Sequence, residues 1–188
     1  MKKNSSFIVI LVIVIVAAAI VVPNTVAADS HKKIDRESRH SLLSLLDSSD
    51  RARELAKSAK AILVFPGMAK AGFIVGGQYG EGALIREGKT IGYYNSVSLS
   101  YGLQAGVQKF GYALFFMTDD AVAYLDRSDG WELGTGPSIV VMDKGAATGI
   151  STTTGKSDIY AFFFNQKGLM AGIGLQGTKI SKKYIDGR

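Results

Sequence analysis

The sequence contains no cysteine and only two histidines, His31 and His40. The absence of cysteine excludes disulfides, thiolate nucleophiles and cysteine-ligated metal sites. The two histidines stand in a polar N-terminal stretch, on no common ligand face and outside the glycine-rich body of the chain. We therefore expect solvated surface histidines rather than a zinc site or a serine–histidine nucleophile pair.

Other catalytic motifs are weak. The glycines at 172, 174 and 177 fit G-x-G-x-x-G, but lysines rather than a distant acid follow them, unlike in a dinucleotide site. Asp119 and Asp120 are typical of the first turn of a helix, where carboxylates complement the helix dipole. The segment 126–130 lacks the spaced acids of a calcium loop and predicts a plain turn. The sequence thus predicts a protein that is not an enzyme and holds no cofactor or metal.

The first 28 residues have the pattern of a secretory signal peptide. Lys2 and Lys3 precede an apolar run over 7–22, and Val26-Ala27-Ala28 is a small-residue cleavage pattern. The run is slightly short for a membrane span of about 20 residues, and an uncleaved anchor is the alternative. We expect an exported protein of the periplasm or cell envelope, peripheral on a membrane.

The remaining chain is mildly basic. The formal net charge is +6, and loss of residues 1–28 removes two lysines and no acid, which leaves +4. Such a charge favours anionic surfaces, and we expect no nucleic-acid partner. The length suits a single domain over 49–188, preceded by an N-terminal helical segment over 29–48.

Local signals predict helices and strands in succession. Leucines near its end predict a helix over 30–46, and Ser48-Ser49 offers an N-cap to a second helix over 50–60. Thr118 is expected to cap a short third helix that ends near residue 127. The predicted strands are 61–65, stopped by Pro66-Gly67; 72–86 and 90–98, joined as a hairpin around 87–89; 101–117; 131–142; and a closing hairpin of 158–164 with 169–180.

Glycines recur at short intervals in these predicted strands. Alternate glycines clear one face of a strand, so that the sheet bends or another group approaches closely. The predicted structural glycines are Gly72, Gly76, Gly168, Gly172, Gly174 and Gly177. The predicted fold class is α+β, with N-terminal helices packed on a strongly bent, largely antiparallel sheet that can close into a barrel.

Several segments, in order along the chain, resemble the SYLF domain. They are K-A-G-F at 70–73, G-L-Q-A-G-V-Q-K-F-G-Y-A-L-F-F within 102–125, G-T-G-P-S-I-V-V at 134–141 and G-L-M-A-G-I-G-L-Q-G at 168–177. The similarity runs from about Ala52 to Ile180. It implies binding to membrane lipids, to phosphoinositides in eukaryotic members and to actin in some members. An exported protein would not meet actin, so the resemblance implies anionic phospholipids or other amphiphiles here.

The candidate lipid-contacting residues are basic or aromatic. They are Lys32, Lys33, Arg36, Arg39, Lys57, Lys60, Lys70, Phe73, Phe163, Lys179, Lys182 and Lys183. Basic residues on a helix beside leucines suit an anionic membrane interface. The alternative is an ordinary solvated helix face, balanced by interspersed acids.

The run Phe162-Phe163-Phe164 adds an aromatic candidate. Successive strand residues face opposite sides, so a phenyl group here needs a lipid or a partner unless the strand is buried on both sides. From the sequence we expect lipid or membrane-surface binding by a non-enzymatic exported protein. The alternative is a structural or protein-interaction module of the cell envelope.

Overall fold

A computed structural model describes residues 25–72, 75–101, 106–126, 131–133, 136–142, 157–167 and 177–183. These residues form three helices and one eight-stranded sheet, which confirms the predicted α+β class. The helices are α1 (Thr25–Ser48), α2 (Asp50–Ala56) and α3 (Asp119–Tyr124). The strands are β1 (Ala61–Gly72), β2 (Val75–Arg86), β3 (Lys89–Tyr101), β4 (Gly106–Phe116), β5 (Trp131–Glu132), β6 (Ile139–Met142), β7 (Ile159–Lys167) and β8 (Thr178–Lys183).

The sheet is strongly curled into a half-barrel. Its strand order is β5-β8-β3-β2-β1-β4-β7-β6, and only the β6–β7 pair is parallel among the described strands. β5 and β4 are five places apart, which would be about 24 Å in a flat sheet. The rings of Trp131 on β5 and Phe116 on β4 are nevertheless 6.2 Å apart. The face that carries these two rings is therefore the concave, inner face.

Each face of the sheet has its own apolar core. The inner core includes Leu63, Phe65, Met68, Tyr112, Phe116 and Trp131, with α3 packed against it. The outer core includes Leu42, Leu45, Ala52, Ile62, Phe115 and Phe162, and there α1 and α2 cover the sheet. The central strands are therefore buried on both sides at one end of the sheet. At the other end of the sheet, α1 and α2 do not cover the outer face.

Capping residues set the starts of the two short helices, as the sequence predicts. The Ser49 hydroxyl accepts a hydrogen bond from the Ala52 amide, and the Thr118 hydroxyl accepts one from the Ala121 amide. Each hydroxyl satisfies one of the amides that a helix start leaves without an internal partner. The observed α2 ends at Ala56, earlier than the predicted residue 60.

The predicted β2–β3 hairpin is confirmed. Arg86 pairs with Lys89, so the connection consists of Glu87 and Gly88 alone. Both have positive φ, 50° and 73°. That geometry is typical of a two-residue turn whose twist matches that of the flanking strands.

The prediction that Pro66-Gly67 ends the first strand is wrong. β1 continues to Gly72, and its register with β2 and β4 shifts around these two residues. Proline has no amide to donate to a ladder, but a bulge leaves one residue unpaired. The bulge therefore absorbs the proline without ending the strand.

One longer-range prediction is also wrong. The predicted strand over 131–142 is two strands, β5 and β6, which lie at opposite edges of the sheet. Gly136, with φ of 132°, and Pro137 lie between them, and neither continues a ladder. The second strand of the predicted closing hairpin, 169–180, lies mostly outside the described residues; its described end, in β8, pairs with β3 and β5, whereas β7 pairs with β4 and β6.

The predicted structural glycines fall into two groups. Gly72 pairs with Gly76 at the end of the β1–β2 ladder, and Gly177 precedes β8 with φ of 70°. Gly177 therefore serves a turn rather than a bend within a strand. Gly168, Gly172 and Gly174 lie outside the described residues, as do Phe73 and the predicted signal peptide up to residue 24.

Candidate functional site

One row of exposed side chains crosses five strands on the outer face, beyond the helices. Strand register places its members side by side. In order across the sheet they are Lys109 of β4, Ala69 of β1, Tyr79 of β2, Val97 of β3 and Lys179 of β8. All five are exposed. We call this set the outer row.

The outer row has an apolar centre flanked by Lys109 and Lys179, and register continues it to Lys167 opposite Lys109 and to the exposed Glu132 opposite Lys179. Tyr79 and Val97 are directly opposite each other, and their exposed fractions are 49% and 44%. Tyr79 is on the same side of β2 as Ile85, which packs in the outer core. An added Cβ at Gly77, the next residue along that side of β2, would meet no atom within 4 Å. The surface of β2 beside Tyr79 is therefore open at this position.

Tyr79 of the outer row takes part in a hydrogen-bonded network with two charged side chains. The Tyr79 hydroxyl donates to the Glu81 carboxylate at 2.9 Å, and the Lys183 ammonium donates to the same oxygen at 2.6 Å. Partial burial, together with the bond to Glu81, raises the pKa of Tyr79 to about 12. Burial alone would raise the pKa of Glu81, but the bonds from Lys183 and Tyr79 hold it below its ordinary value. Tyr79 thus keeps its proton and Glu81 keeps its charge at neutral pH.

Helix α1 carries further basic residues on the same side of the molecule. The helix packs over β1 and β2 and buries Ile34 and Ser38, whose hydroxyl donates to the Val64 carbonyl at 3.2 Å. Lys32, Lys33 and Arg36 face away from the sheet and are exposed. Lys33 makes only a long, solvent-exposed pair with Glu37, at 3.9 Å. These predicted residues therefore present positive charge to the outer side.

Arg39 is placed differently from its three neighbours. Its guanidinium donates to Asp35 at 3.0 Å, to the Gly88 carbonyl at 2.6 Å and to the Thr90 hydroxyl at 3.0 Å. Thr90 in turn donates to Asp35. The pKa of Asp35 is lowered, chiefly by the hydrogen bond from Arg39. Burial acts in the opposite direction, and the hydrogen bond from Thr90 lowers the pKa further. Arg39 thus tethers α1 to the β2–β3 turn.

The remaining predicted basic residues are dispersed. Lys57 pairs with Glu54 at 2.7 Å, and Lys182 pairs with Asp126 at 2.8 Å. Lys60 is exposed just before β1. Lys70 occupies a register position in β1 opposite Gln78, and its side chain lies outside the description.

Phe163 lies on the inner side of β7. Its ring is 6.0 Å from Phe110 and 5.9 Å from Tyr112, and it is half-buried against the inner core. Phe162 and Phe164 are buried in the outer core. β7 is therefore packed on both sides, which is the alternative to lipid or partner contact that the sequence analysis left open for this run.

The sequence reasoning missed Tyr79, Val97, Ala69 and Lys109. A signal for Val97 was present, because Val97 alternates with Ser96 and Ser98. Alternation fixes two faces but not which one is buried. Here the serines are buried and the valine is exposed, the reverse of the usual order.

Two candidate chemistries receive no support from the described part of the chain. No group of three or more His, Asp or Glu side chains there could hold a metal ion. None of the helices described is both long enough and apolar enough to span a bilayer.

Comparison with known proteins agrees with the sequence motifs over the C-terminal part of the chain. No curated protein matches the chain. The family model of Ysc84, described as Las17-binding protein actin regulator, matches residues 97–185. That match begins within β3 and contains every later described element, from β4 to β8, and it begins later than the similarity that the sequence indicated from Ala52. The match covers less than half of the chain, and over those residues the chain is similar to the SYLF family.

Proposed function

We propose that this protein is a non-enzymatic binder of anionic phospholipid surfaces and that the outer row is its contact surface. The observation that carries the proposal is the apolar pair Tyr79 and Val97, set between Lys109 and Lys179 on an open sheet face. The association of the SYLF family with lipid binding supports it.

The dimensions of the row suit a bilayer surface. Four strand spacings separate Lys109 from Lys179, which is about 19 Å measured along the curled sheet. Two lysines at that separation contact different head groups, whereas the tyrosine and valine between them reach the interfacial region. Tyrosine favours this region because its ring is apolar and its hydroxyl is polar.

Helix α1 adds to the attraction. Lys32, Lys33 and Arg36 are exposed on the outer side, and each basic residue near an anionic surface contributes about 1 kcal/mol. These contributions fall with added salt. The helix residues orient the outer face toward the membrane, and the outer row makes the closest contact.

We further propose that the protein acts after export, in the periplasm or cell envelope. The lysine pair, the apolar run and Val26-Ala27-Ala28 support this location. N-terminal sequencing of exported protein is expected to begin at Asp29 or within a residue or two. Recovery of intact Met1 in a membrane fraction would favour the uncleaved anchor.

A protein-interaction module of the envelope is the second candidate. The family's description names the binding of another protein, Las17. The exposed Tyr79–Val97 pair would also suit a protein partner, since tyrosine is enriched in interfaces. Protein binding would not require anionic lipid, and vesicle binding therefore separates the two candidates.

Co-sedimentation with phosphatidylglycerol vesicles tests the proposal. Lys109→Glu and Lys179→Glu each change the local charge by two, worth about 2 kcal/mol or roughly a thirtyfold loss of affinity at low salt. Lys89→Glu is the matched control, because Lys89 is exposed at the opposite end of the sheet, beside the β2–β3 turn. Equal losses in all three variants, or equal binding to phosphatidylcholine vesicles, would contradict the proposal.

A further inference from the structure

The cleavage site that the sequence predicts lies inside a helix. α1 begins at Thr25, whereas the predicted cut falls between Ala28 and Asp29. In an α-helix each carbonyl accepts a hydrogen bond from the amide four residues later, so helical geometry pairs the Ala28 carbonyl with the Lys32 amide. That carbonyl is the group that a peptidase attacks. Cleavage of the folded chain therefore requires α1 to unwind through Lys32.

Contacts with the sheet hold the turn that must unwind. The ring of His31 stacks on that of Tyr93 of β3, with the ring centroids 4.5 Å apart and the planes 11° from parallel. Ile34, which lies on the same side of α1 one turn later, is buried. The first turn of a helix frays at little cost when nothing packs against it. Here, unwinding through Lys32 breaks the aromatic stack.

The tether of Arg39 to the β2–β3 turn fixes the helix two turns further on. Segments that peptidases cut are exposed and can leave regular structure. When cutting is slow relative to closing, its rate follows the population of the open form. Each contact that holds α1 on the sheet thus slows cleavage by the factor by which it lowers that population.

We propose that docked α1 protects the Ala28–Asp29 bond, so that a chain whose domain folds before processing keeps residues 1–28 and their apolar run. The cleaved form and the anchored form are then two products of one sequence. Which of them forms depends on whether the peptidase acts before or after α1 docks on the sheet. This inference rests on the proposed export signal, and the experiment separates the failure of one from the failure of the other.

The assay follows cleavage in the full chain. Hydrolysis adds one water across the bond, which leaves a carboxylate on Ala28 and an amine on Asp29. The chain, folded in detergent micelles, is incubated with purified signal peptidase, and mass spectrometry measures the release of residues 1–28. Leu63→Asp supplies an unfolded chain with the same cleavage segment, because it places a charge at a fully buried core position. Circular dichroism verifies the state of each chain.

The comparison of folded and unfolded chains tests the protection. We expect the folded parent to be cut at least about tenfold more slowly than the Leu63→Asp chain. Equal rates would overturn the protection by α1 and leave the export signal standing. Cleavage of neither chain after Ala28 would overturn the export signal, and this inference with it.

Two variants of the folded chain test the aromatic stack. Tyr93→Leu removes one ring without altering the segment that the peptidase binds, and we expect cleavage about two- to tenfold faster from the loss of one aromatic pair. His31→Ala should give a similar gain, although alanine itself favours a helix. His40→Ala, at an exposed position of α1 beyond the turn that must unwind, is the matched control and should keep the parental rate. Parental rates in both stack variants would overturn the proposal.

Discussion

At the residue scale, glycines on the inner side of β2 make room for large side chains. A Cβ on Gly80 would lie 2.2 Å from the Met68 sulfur. A Cβ on Gly82 would lie 2.4 Å from the Val64 carbonyl oxygen and 2.7 Å from the Phe65 ring. The missing side chains let Met68 and Phe65 lie flat across β2. The sequence indicated close approach at glycines, but only the strand pairing identifies the side chains that approach.

Gly82→Ala tests this packing. Because a backbone oxygen cannot move aside as a flexible side chain can, we expect a loss of about 1–3 kcal/mol in the free energy of unfolding. Gly77→Ala, on the open outer side of the same strand, is the matched control and should change that free energy by less than about 0.5 kcal/mol. Urea titration measures both. Similar losses in the two variants would show that strand flexibility, not packing, explains these glycines.

Asp35, a single residue, makes a pH-dependent contribution to the free energy of unfolding. Its pKa is lowered from 3.8 in the folded state. The contribution to stability is therefore complete well above pH 3.8 and is lost as the pH falls through the lower, folded-state pKa. Asp35→Asn should reduce stability at neutral pH, and the difference from the parent protein should shrink below pH 3.8. Urea titrations across this range test it, with the exposed Asp47→Asn as the control. A difference that is constant with pH would contradict the tether.

At the element scale, structure set by neighbouring residues was predictable, and structure set by distant ones was not. The Ser49 and Thr118 caps and the turn at Glu87-Gly88 follow from a few adjacent residues. The split of 131–142 into β5 and β6 depends on which distant strands have free edges. A single sequence does not carry that information. The outer row was not predicted for the same reason, because its residues become neighbours only when the register of five strands is known.

The β2–β3 turn provides a prediction at this scale. Glu87 has φ of 50°, a conformation that costs a residue with a side chain about 1–2 kcal/mol. Asparagine tolerates this region better. We expect Glu87→Asn to raise the free energy of unfolding by up to about 1 kcal/mol, whereas the same substitution at the exposed Lys89, outside the turn, should not. Thermal or urea unfolding measures the change, and destabilisation by Glu87→Asn would contradict the assigned turn.

At the scale of the whole molecule, the curled sheet separates two kinds of surface. The inner face encloses the larger core, whereas helices cover only part of the outer face. The uncovered part has the outer row, and the exposed side of α1 adds positive charge next to it. The proposed contact surface is therefore confined to the end of the outer face that the helices leave uncovered.

The central claim is that the outer row contacts the membrane, and the absence of cysteine allows a direct measurement. A single Val97→Cys variant is labelled with an environment-sensitive NBD fluorophore and mixed with phosphatidylglycerol vesicles. Lys89→Cys, labelled in the same way, reports on the opposite end of the sheet. The account predicts a blue shift and a gain of intensity at position 97 and neither at position 89. Bound protein with an unchanged spectrum at position 97, or with equal changes at both positions, would contradict it.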